Sequence, residues 1–387
     1  MNVPKLRFKE FNDEWIETNL GQSTTFKQGI QVDVENQFSE PFDDSVRFIR
    51  IVDYTQNTKD KRYIVKPKNA NFVDEHDVVL VRYGATAGFV GHGITGAIAN
   101  NMFTVTPNKK IDKDFLYTIL KQEKIYKKLN SSNGSSAMPA LNFGSVSLLK
   151  FKYPSISEQQ KLYKFISLLD KKIELQTKKI EDLKLFKKGL LYRIFNKKNT
   201  NTNIENCIDY GKAGGTPLSS NKDYYDGSIP FLSIADITNQ GKYIFSTEKM
   251  ISQKGLDNSS AWLIPKNSLI LSMYASYGLV AINKIELSTS QAMFNMIINK
   301  SNNVEYIYYY LEYLYQNNYY DKLVSTGTQS NLNADKVKKI KIYLPSIEEQ
   351  NALSKLFMCV DDKIKFESNK LNKLNKLKKG LIQNMFV

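Results

Sequence analysis

Residues Pro154 to Phe195 read PSISEQQKLYKFISLLDKKIELQTKKIEDLKLFKKGLLYRIF, and Pro345 to Phe386 read PSIEEQNALSKLFMCVDDKIKFESNKLNKLNKLKKGLIQNMF. The offset is 191 residues, ungapped over 42 positions, of which 17 are identical. Twice that offset nearly exhausts the 387-residue chain. The protein therefore reads as an internal duplication, one globular part followed by one helix, said twice.

Each copy opens as a helix. Ser155 or Ser157 would cap the first and Ser346 the second, and Glu158 and Glu349 suit a first turn. Apolar residues then recur at heptad spacing: Leu162, Ile166, Leu169, Ile173, Ile180, Leu183, Leu190 and Ile194, answered by Leu353, Phe357, Val360, Ile364, Leu371, Leu374, Leu381 and Met385. The seam is interrupted at matching places, Gln176 with Glu367 and Lys187 with Lys378. Such a seam predicts a coiled coil whose polar members fix register and partner. Forty residues of helix would span about 60 Å. Two unrelated surface helices would have no reason to share their interruptions. In an antiparallel pair, Lys187 would face Glu348, Glu349, Asp361 and Asp362, and Lys378 would face Glu158 and Asp170.

The chain carries a formal net charge of +15, which suggests a polyanionic partner. Residues 154–199 hold 12 basic against 5 acidic residues and residues 345–387 hold 8 against 5, whereas residues 1–153 hold 21 against 17 and residues 200–344 hold 13 against 12. Most of the excess lies on the helices, where many lysines simply solvate a helix face. A nucleic-acid face on the globular parts must therefore be patterned locally. No apolar run approaches 18 residues and no N-terminal signal is evident, so a cytoplasmic protein without a membrane partner is expected. Cys207 and Cys359 are the only cysteines, which fits a reducing compartment. Cys359, beside the seam, reads as a small buried residue.

The expected fold class is α+β. Two globular parts with mainly β cores, residues 1–153 and 200–344, alternate with helices in residues 154–199 and 345–387, packed antiparallel about an approximate two-fold axis. Trp15 reads as a core anchor. Phe26 to Val32 predicts strand, turn and strand around Gly29, and Val46 to Tyr54 a half-buried strand. Asp77 to Val90 predicts two strands around a Gly-rich turn, Phe115 to Leu129 a helix, and Val146 to Phe151 a last strand. The second part repeats this order with Ile229 to Ile237, Ser268 to Val280 (Gly278 answering Gly88), Met293-Phe294 and a Tyr-rich helix from Tyr306 to Tyr320. The globular parts keep their plan while their exposed residues change. The helices keep their sequence as well.

Catalytic signatures are missing. The two histidines, His76 and His92, lie in the first half only, so a Ser-His-Asp triad has no counterpart in the second. No Cys and His stand at zinc-ligand spacing along the chain, so no metal site is expected. Gly211 to Pro217 (GKAGGTP) lacks the order of a phosphate loop and reads as a turn.

The two long segments open P-x-x-x-E-Q, at Pro154, Glu158, Gln159 and at Pro345, Glu349, Gln350. They close K-K-G-L, at Lys187 to Leu190 and Lys378 to Leu381. Gly214 to Pro217 with Tyr224-Tyr225, and Gly327 to Leu332 before the second helix, complete a pattern that resembles the specificity subunit of type I DNA restriction–modification systems. The likeness covers essentially the whole chain. The first half departs from it, with FKQGIQ in place of GGTP and SSAMPAL in place of GTQSNL. The resemblance implies that each globular part reads one half of a bipartite, asymmetric DNA sequence. It implies that the helices set the spacing and dock two modification subunits. Those partners would bring S-adenosylmethionine, and restriction subunits would bring ATP and magnesium chemistry. This chain would hold no cofactor and no active site.

Base edges call for Arg, Lys, Asn or Gln, and phosphates for hydroxyls, amides and Lys. The candidates on predicted turns are Lys27, Gln28, Gln31, Arg82, Tyr83 and Asn100 in the first half, and Lys212, Thr216, Ser272, Tyr274, Tyr277, Gln291 and Gln329 in the second. Two other readings stay open: a specificity module for a system with fused modification and cleavage, and a non-catalytic basic coiled-coil scaffold.

Overall fold

The computed structural model describes residues 3–56, 58–131, 140–196, 198–274, 276–324 and 332–387. The chain divides into two compact units, Met1–Leu175 with Lys370–Val387, and Gln176–Asn369. The long helices run Ile156–Phe195 and Ile347–Met385. Each unit therefore combines one globular part with one end of each helix, a division that cuts across the four sequence segments.

The first unit holds an antiparallel sheet in the order Thr24–Gln28, Met102–Pro107, Val79–Val81, Val90–Gly91. Beside it lies a second sheet in the order Arg62–Val65, Ser45–Ile49, Gly96–Ile98, Phe72–Val73. The second unit repeats the plan. Its first sheet runs Ile208–Ala213, Met293–Ile298, Leu269–Ser272, Val280–Asn283, Tyr243–Ile244, and its second Lys249–Ile251, Ile229–Leu232, Ser288–Thr289. Registers correspond: Leu80 pairs with Phe103 and Leu271 with Phe294, while Phe48 runs parallel to Ala97 and Phe231 to Ser288. The duplication is thus one of topology as well as sequence. Trp15 is the anchor its sequence position suggested, buried edge-on against Phe115 and Phe386.

Within each unit the two long helices run antiparallel. In the first, Asp170 pairs with Lys378, and Leu162 and Ile166 share a core with Met385 and Phe386. In the second, Gln176 meets Glu367, Lys187 meets Asp361, and Phe195 packs on Phe357. The seam is less dry than a heptad reading implies: Ile173, Leu183, Ile364, Leu371 and Leu374 are only half-buried. The buried central positions include a polar pair. Gln176 Nε2 donates to the Glu367 carboxylate at 2.7 Å and to its carbonyl at 3.0 Å, although both sit at seam positions.

Glu367 also accepts Lys179 at 2.7 Å. The hydrogen bond from Lys179, then that from Gln176, holds its carboxyl at about 2, against an ordinary 4.5. A depressed carboxylate contributes stability that is present above its unfolded value and lost as pH falls through the folded one. Glu367→Gln is therefore expected to unfold at lower urea than the parent at neutral pH and to approach it near pH 3. A deficit of equal size at both pH values would contradict this linkage.

The P-x-x-x-E-Q opening acquires a physical meaning. Gln159 and Gln350 are fully buried at the starts of the long helices. Gln159 Oε1 accepts the Asp112 N–H at 2.8 Å, and its amide donates to the Pro154 and Lys110 carbonyls at 2.8 and 3.0 Å. Gln350 repeats this, accepting the Asn303 N–H at 2.9 Å and donating to the Pro345 carbonyl at 2.9 Å. Asp112 and Asn303 are the caps of helices Lys113–Leu120 and Val304–Gln316. One glutamine in each unit thus ties a long helix to the adjoining globular helix. Glu158 is occupied by Arg7, which donates to both its carboxylate oxygens at 2.8 and 2.7 Å.

Several local expectations are corrected. Residues after Ile49 and Leu232 do not continue as strands but turn into helices Ile51–Thr55 and Ile234–Gln240. Asp53 and Asp236 accept the backbone N–H of Arg50 and Ser233, each at 2.8 Å; Ser233 Oγ in turn accepts the Asp236 N–H, so the second of the two closes a capping box. Phe26 to Val32 forms one strand, not two, because Ile30 makes only an isolated bridge with Ala99. Val146 lies in helix Phe143–Ser147, and the last strand is Lys150–Tyr153. Cys359 is exposed, since its neighbour Phe357 takes the buried position.

Candidate nucleic-acid interface

Strand Thr24–Gln28 ends where the chain crosses flush over the parallel edge of the second sheet. Gly29 N–H donates to the Met102 carbonyl at 3.0 Å and Ile30 N–H to Ile98 at 2.9 Å. In the second unit Gly214 and Gly215 make the same two bonds, to Met293 and Thr289, at 2.9 Å each. A Cβ on Gly29 would stand 2.2 Å from the Ala99 oxygen, and one on Gly214 2.3 Å from the Ser290 oxygen. Close backbone approach, rather than an unusual φ, requires glycine here.

That crossing brings most of the first-half candidates together. Arg82 donates to Gln28 Oε1 at 2.8 Å, Gln28 Nε2 donates to the Asn100 carbonyl at 2.7 Å, and Asn100 Nδ2 donates to Gln31 Oε1 at 2.8 Å. The Arg82 guanidinium lies 4.9 Å from the Tyr83 ring centre and 4.4 Å from that of Phe143. Among the described residues its Nε has no hydrogen-bond partner. The result is a patch of amide and guanidinium groups held over two aromatic faces. These are the groups that read base edges and stack on bases.

The second unit carries the same patch with other residues. Thr216 hydroxyl donates to Gln291 Oε1, the counterpart of the Asn100–Gln31 bond. Tyr274 stands where Tyr83 stands and is 38% exposed against 39%. At the position of Arg82 the second unit has Met273, which is buried. Leu141 N–H closes onto the Arg82 carbonyl at 2.8 Å and Leu332 N–H onto that of Met273 at 3.1 Å. The frame is shared and the presented chemistry differs.

Three candidates fall elsewhere. Lys27 is turned from Gln28 by strand alternation, and its ammonium donates to the Ala70 carbonyl at 3.2 Å. Ser272 is fully buried, its hydroxyl bonded to the Tyr274 carbonyl at 3.0 Å, and cannot reach a ligand. Tyr277 hydroxyl is taken by Asp321 at 2.8 Å. Gln329 lies outside the described residues. Lys212 is exposed on the strand preceding Gly214.

A sequence-family model, "Type I restriction modification DNA specificity domain", matches residues 15–185 and again residues 196–376. The chain belongs to that family. It carries two specificity domains. It is 29% identical over 187 residues to the type I restriction enzyme MjaIX specificity subunit of Methanocaldococcus jannaschii, covering 48% of this chain and 43% of that protein. It is 34% identical over 136 residues to the HindI specificity subunit of Haemophilus influenzae, covering 35% of this chain and 29% of that protein. Both matches span less than half the relative's length. Similarity to the MjaVIII specificity subunit of M. jannaschii is 21% over 411 residues, 97% of this chain and 94% of that protein. In fold, the chain resembles the crystal structure of the type I restriction–modification S subunit from M. genitalium, with TM-score 0.62, 15% identity and coverage of 100% and 99%.

Two features of the specificity domains escaped the sequence. Phe143, the base of the Arg82 stack, belongs to helix Phe143–Ser147, of which the sequence suggested only Val146 and Ser147, and those as the start of a strand. The two histidines also converge. His76 Nδ1 lies 3.1 Å from each Asp114 carboxylate oxygen, and His92 Nε2 lies 2.9 Å from one of them. The expectation of no metal-ligand cluster rested on spacing along the chain, and folding brings these residues in from three segments. The Asp114 hydrogen bond raises the His76 pKa, while burial lowers that of His92.

Proposed function

We propose that this chain is the DNA-specificity subunit of a type I restriction–modification complex, with each specificity domain reading one half of a bipartite, asymmetric duplex site. The reading rests chiefly on one observation. Two domains of the same topology present different side chains on the same frame, Gln28, Gln31, Arg82, Tyr83 and Asn100 in one and Thr216, Tyr274 and Gln291 in the other. The functional division is residues 1–153 and 200–344 as readers, and 154–199 with 345–387 as the spacer. The helices set the half-site separation and dock two modification subunits. Leu168, Leu175, Leu185 and Phe186 on the first long helix are 57–69% exposed and offer those partners an apolar contact. Restriction subunits complete the assembly. The chain is non-catalytic: methyl transfer and cleavage, with S-adenosylmethionine, ATP and magnesium, belong to the partners.

Replacing residues 1–150 by the corresponding domain of a relative should change one half of the methylated motif and leave the other intact. Long-read mapping of methylated adenine in cells carrying the hybrid with its modification subunit reads this directly. A motif that changes in both halves would exclude independent reading.

A further inference from the structure

We propose that His76, His92 and Asp114 bind a divalent transition-metal cation, with zinc as the probe. The donor set is two imidazole nitrogens and one carboxylate, which suits zinc, cobalt or nickel and is too nitrogen-rich for magnesium or calcium. One donor atom from each residue lies within 4.8 Å of the others. Ligands at about 2.0–2.1 Å from a zinc ion stand roughly 3.3 Å apart. The observed imidazole–carboxylate separations of 2.9 to 3.1 Å are already close to that. Only small side-chain shifts would let an ion enter, with water completing the coordination.

The ligands are held in place. Asp114 lies in the first turn of helix Lys113–Leu120. His92 follows strand Val90–Gly91 and stacks on Tyr117, with centroids 4.3 Å apart and planes 16° apart. His76 sits in a turn where its N–H bonds Asp74 at 2.8 Å. The surroundings favour a cation. Glu75 lies 3.7 Å from His76, Lys113 is engaged by Asp74 and Asp77 at 3.1 and 2.6 Å, and Lys121 donates to the Tyr117 hydroxyl at 2.7 Å. Asp114 is left facing imidazoles alone among the ion pairs described.

The second specificity domain shows what this position otherwise contains. Glu305 occupies the matching place in helix Val304–Gln316 and is met by Lys242 at 2.6 Å and Lys284 at 3.7 Å. Lys284 also reaches Asn267, which stands where His76 stands. There two ammonium groups neutralise the carboxylate. In the first domain two imidazoles replace them. A bound cation would clamp the helix start to two turns. The site lies at the start of strand Val79–Val81, and Arg82 follows its end, so the metal is structural.

The test uses the full chain, freed of any affinity tag and stripped with chelator. Zinc titrated calorimetrically should bind with one equivalent per chain and raise the thermal midpoint, and cobalt should give a visible absorption band. His76→Ala, at an exposed side chain, and Asp114→Asn should each abolish the equivalent and the band while matching the parent's midpoint and circular dichroism in chelator to within the change zinc produces. Absence of zinc binding by the parent, or binding retained in both variants, would overturn the proposal. Should Asp114→Asn fold poorly, His76→Ala alone decides.

Discussion

Lys187→Leu is expected to destabilise the residue 176–369 unit by about 3–5 kcal/mol, the cost of breaking a buried ion pair from one side. Its ammonium lies 2.8 Å from Glu312 and 2.8 Å from Asp361, with side-chain exposures of 11%, 18% and 28%. Burial pulls the Lys187 pKa down, but the two carboxylates outweigh it and leave it above the ordinary value. Burial raises the Glu312 pKa despite Lys187. Two carboxylates thus share one ammonium. Removing that ammonium leaves two like charges facing each other out of water. Tyr309 hydroxyl, donating to Asp361 at 2.6 Å, is too weak a replacement. Unfolding in urea can be followed by Trp262 in a Trp15→Phe background, since the chain has only 2 tryptophans. The triple change Lys187→Leu, Glu312→Leu, Asp361→Asn should recover most of the loss. A single-variant cost under about 1 kcal/mol would mean the group behaves as an exposed pair. Glu349 was one of the partners anticipated for Lys187, but it meets Lys198 instead, at 3.8 Å, so it should show no coupling to Lys187.

The second large effect concerns Arg82. Arg82→Met, which installs the second domain's residue, should weaken specific DNA binding roughly 5- to 150-fold, the equivalent of a lost bidentate base contact of about 1–3 kcal/mol. Relaxed discrimination should be confined to one half-site. Competition binding with duplexes altered in either half, performed with the modification subunit present, measures both quantities. Equal weakening for all sequences would recast Arg82 as a phosphate contact.

The long helices were legible because the repeat preserves both seam and interruptions. The antiparallel pairing was legible too, through Asp170 with Lys378 and Asp361 with Lys187. Glu312 was not, because it comes from a third helix that no heptad register includes. The turns after Ile49 and Leu232 left a trace in Ser233-x-x-Asp236, but the apolar alternation around it reads as strand. In the first half Arg50 stands at the cap and hides the signal. Candidate readers chosen by residue type on turns came together where the turns abut, at Gln28, Gln31, Arg82 and Asn100. Ser272 was misplaced by a small margin along the chain, since it is the last residue of its strand. The histidine cluster could not be read, because its members meet only through the fold.

The core around Trp15 includes Met385 and Phe386, and Leu6 N–H bonds the Asn384 carbonyl at 2.8 Å. This has a consequence for biosynthesis. Residues 176–369 form an uninterrupted segment. The unit that contains Trp15 must wait for residues 370–387. During elongation the later-encoded unit can therefore mature first, while Trp15 and Phe115 lack the aromatic lid that Phe386 supplies. The nascent first unit exposes apolar surface for the whole of that interval, which makes it the part of the chain most dependent on chaperone shelter.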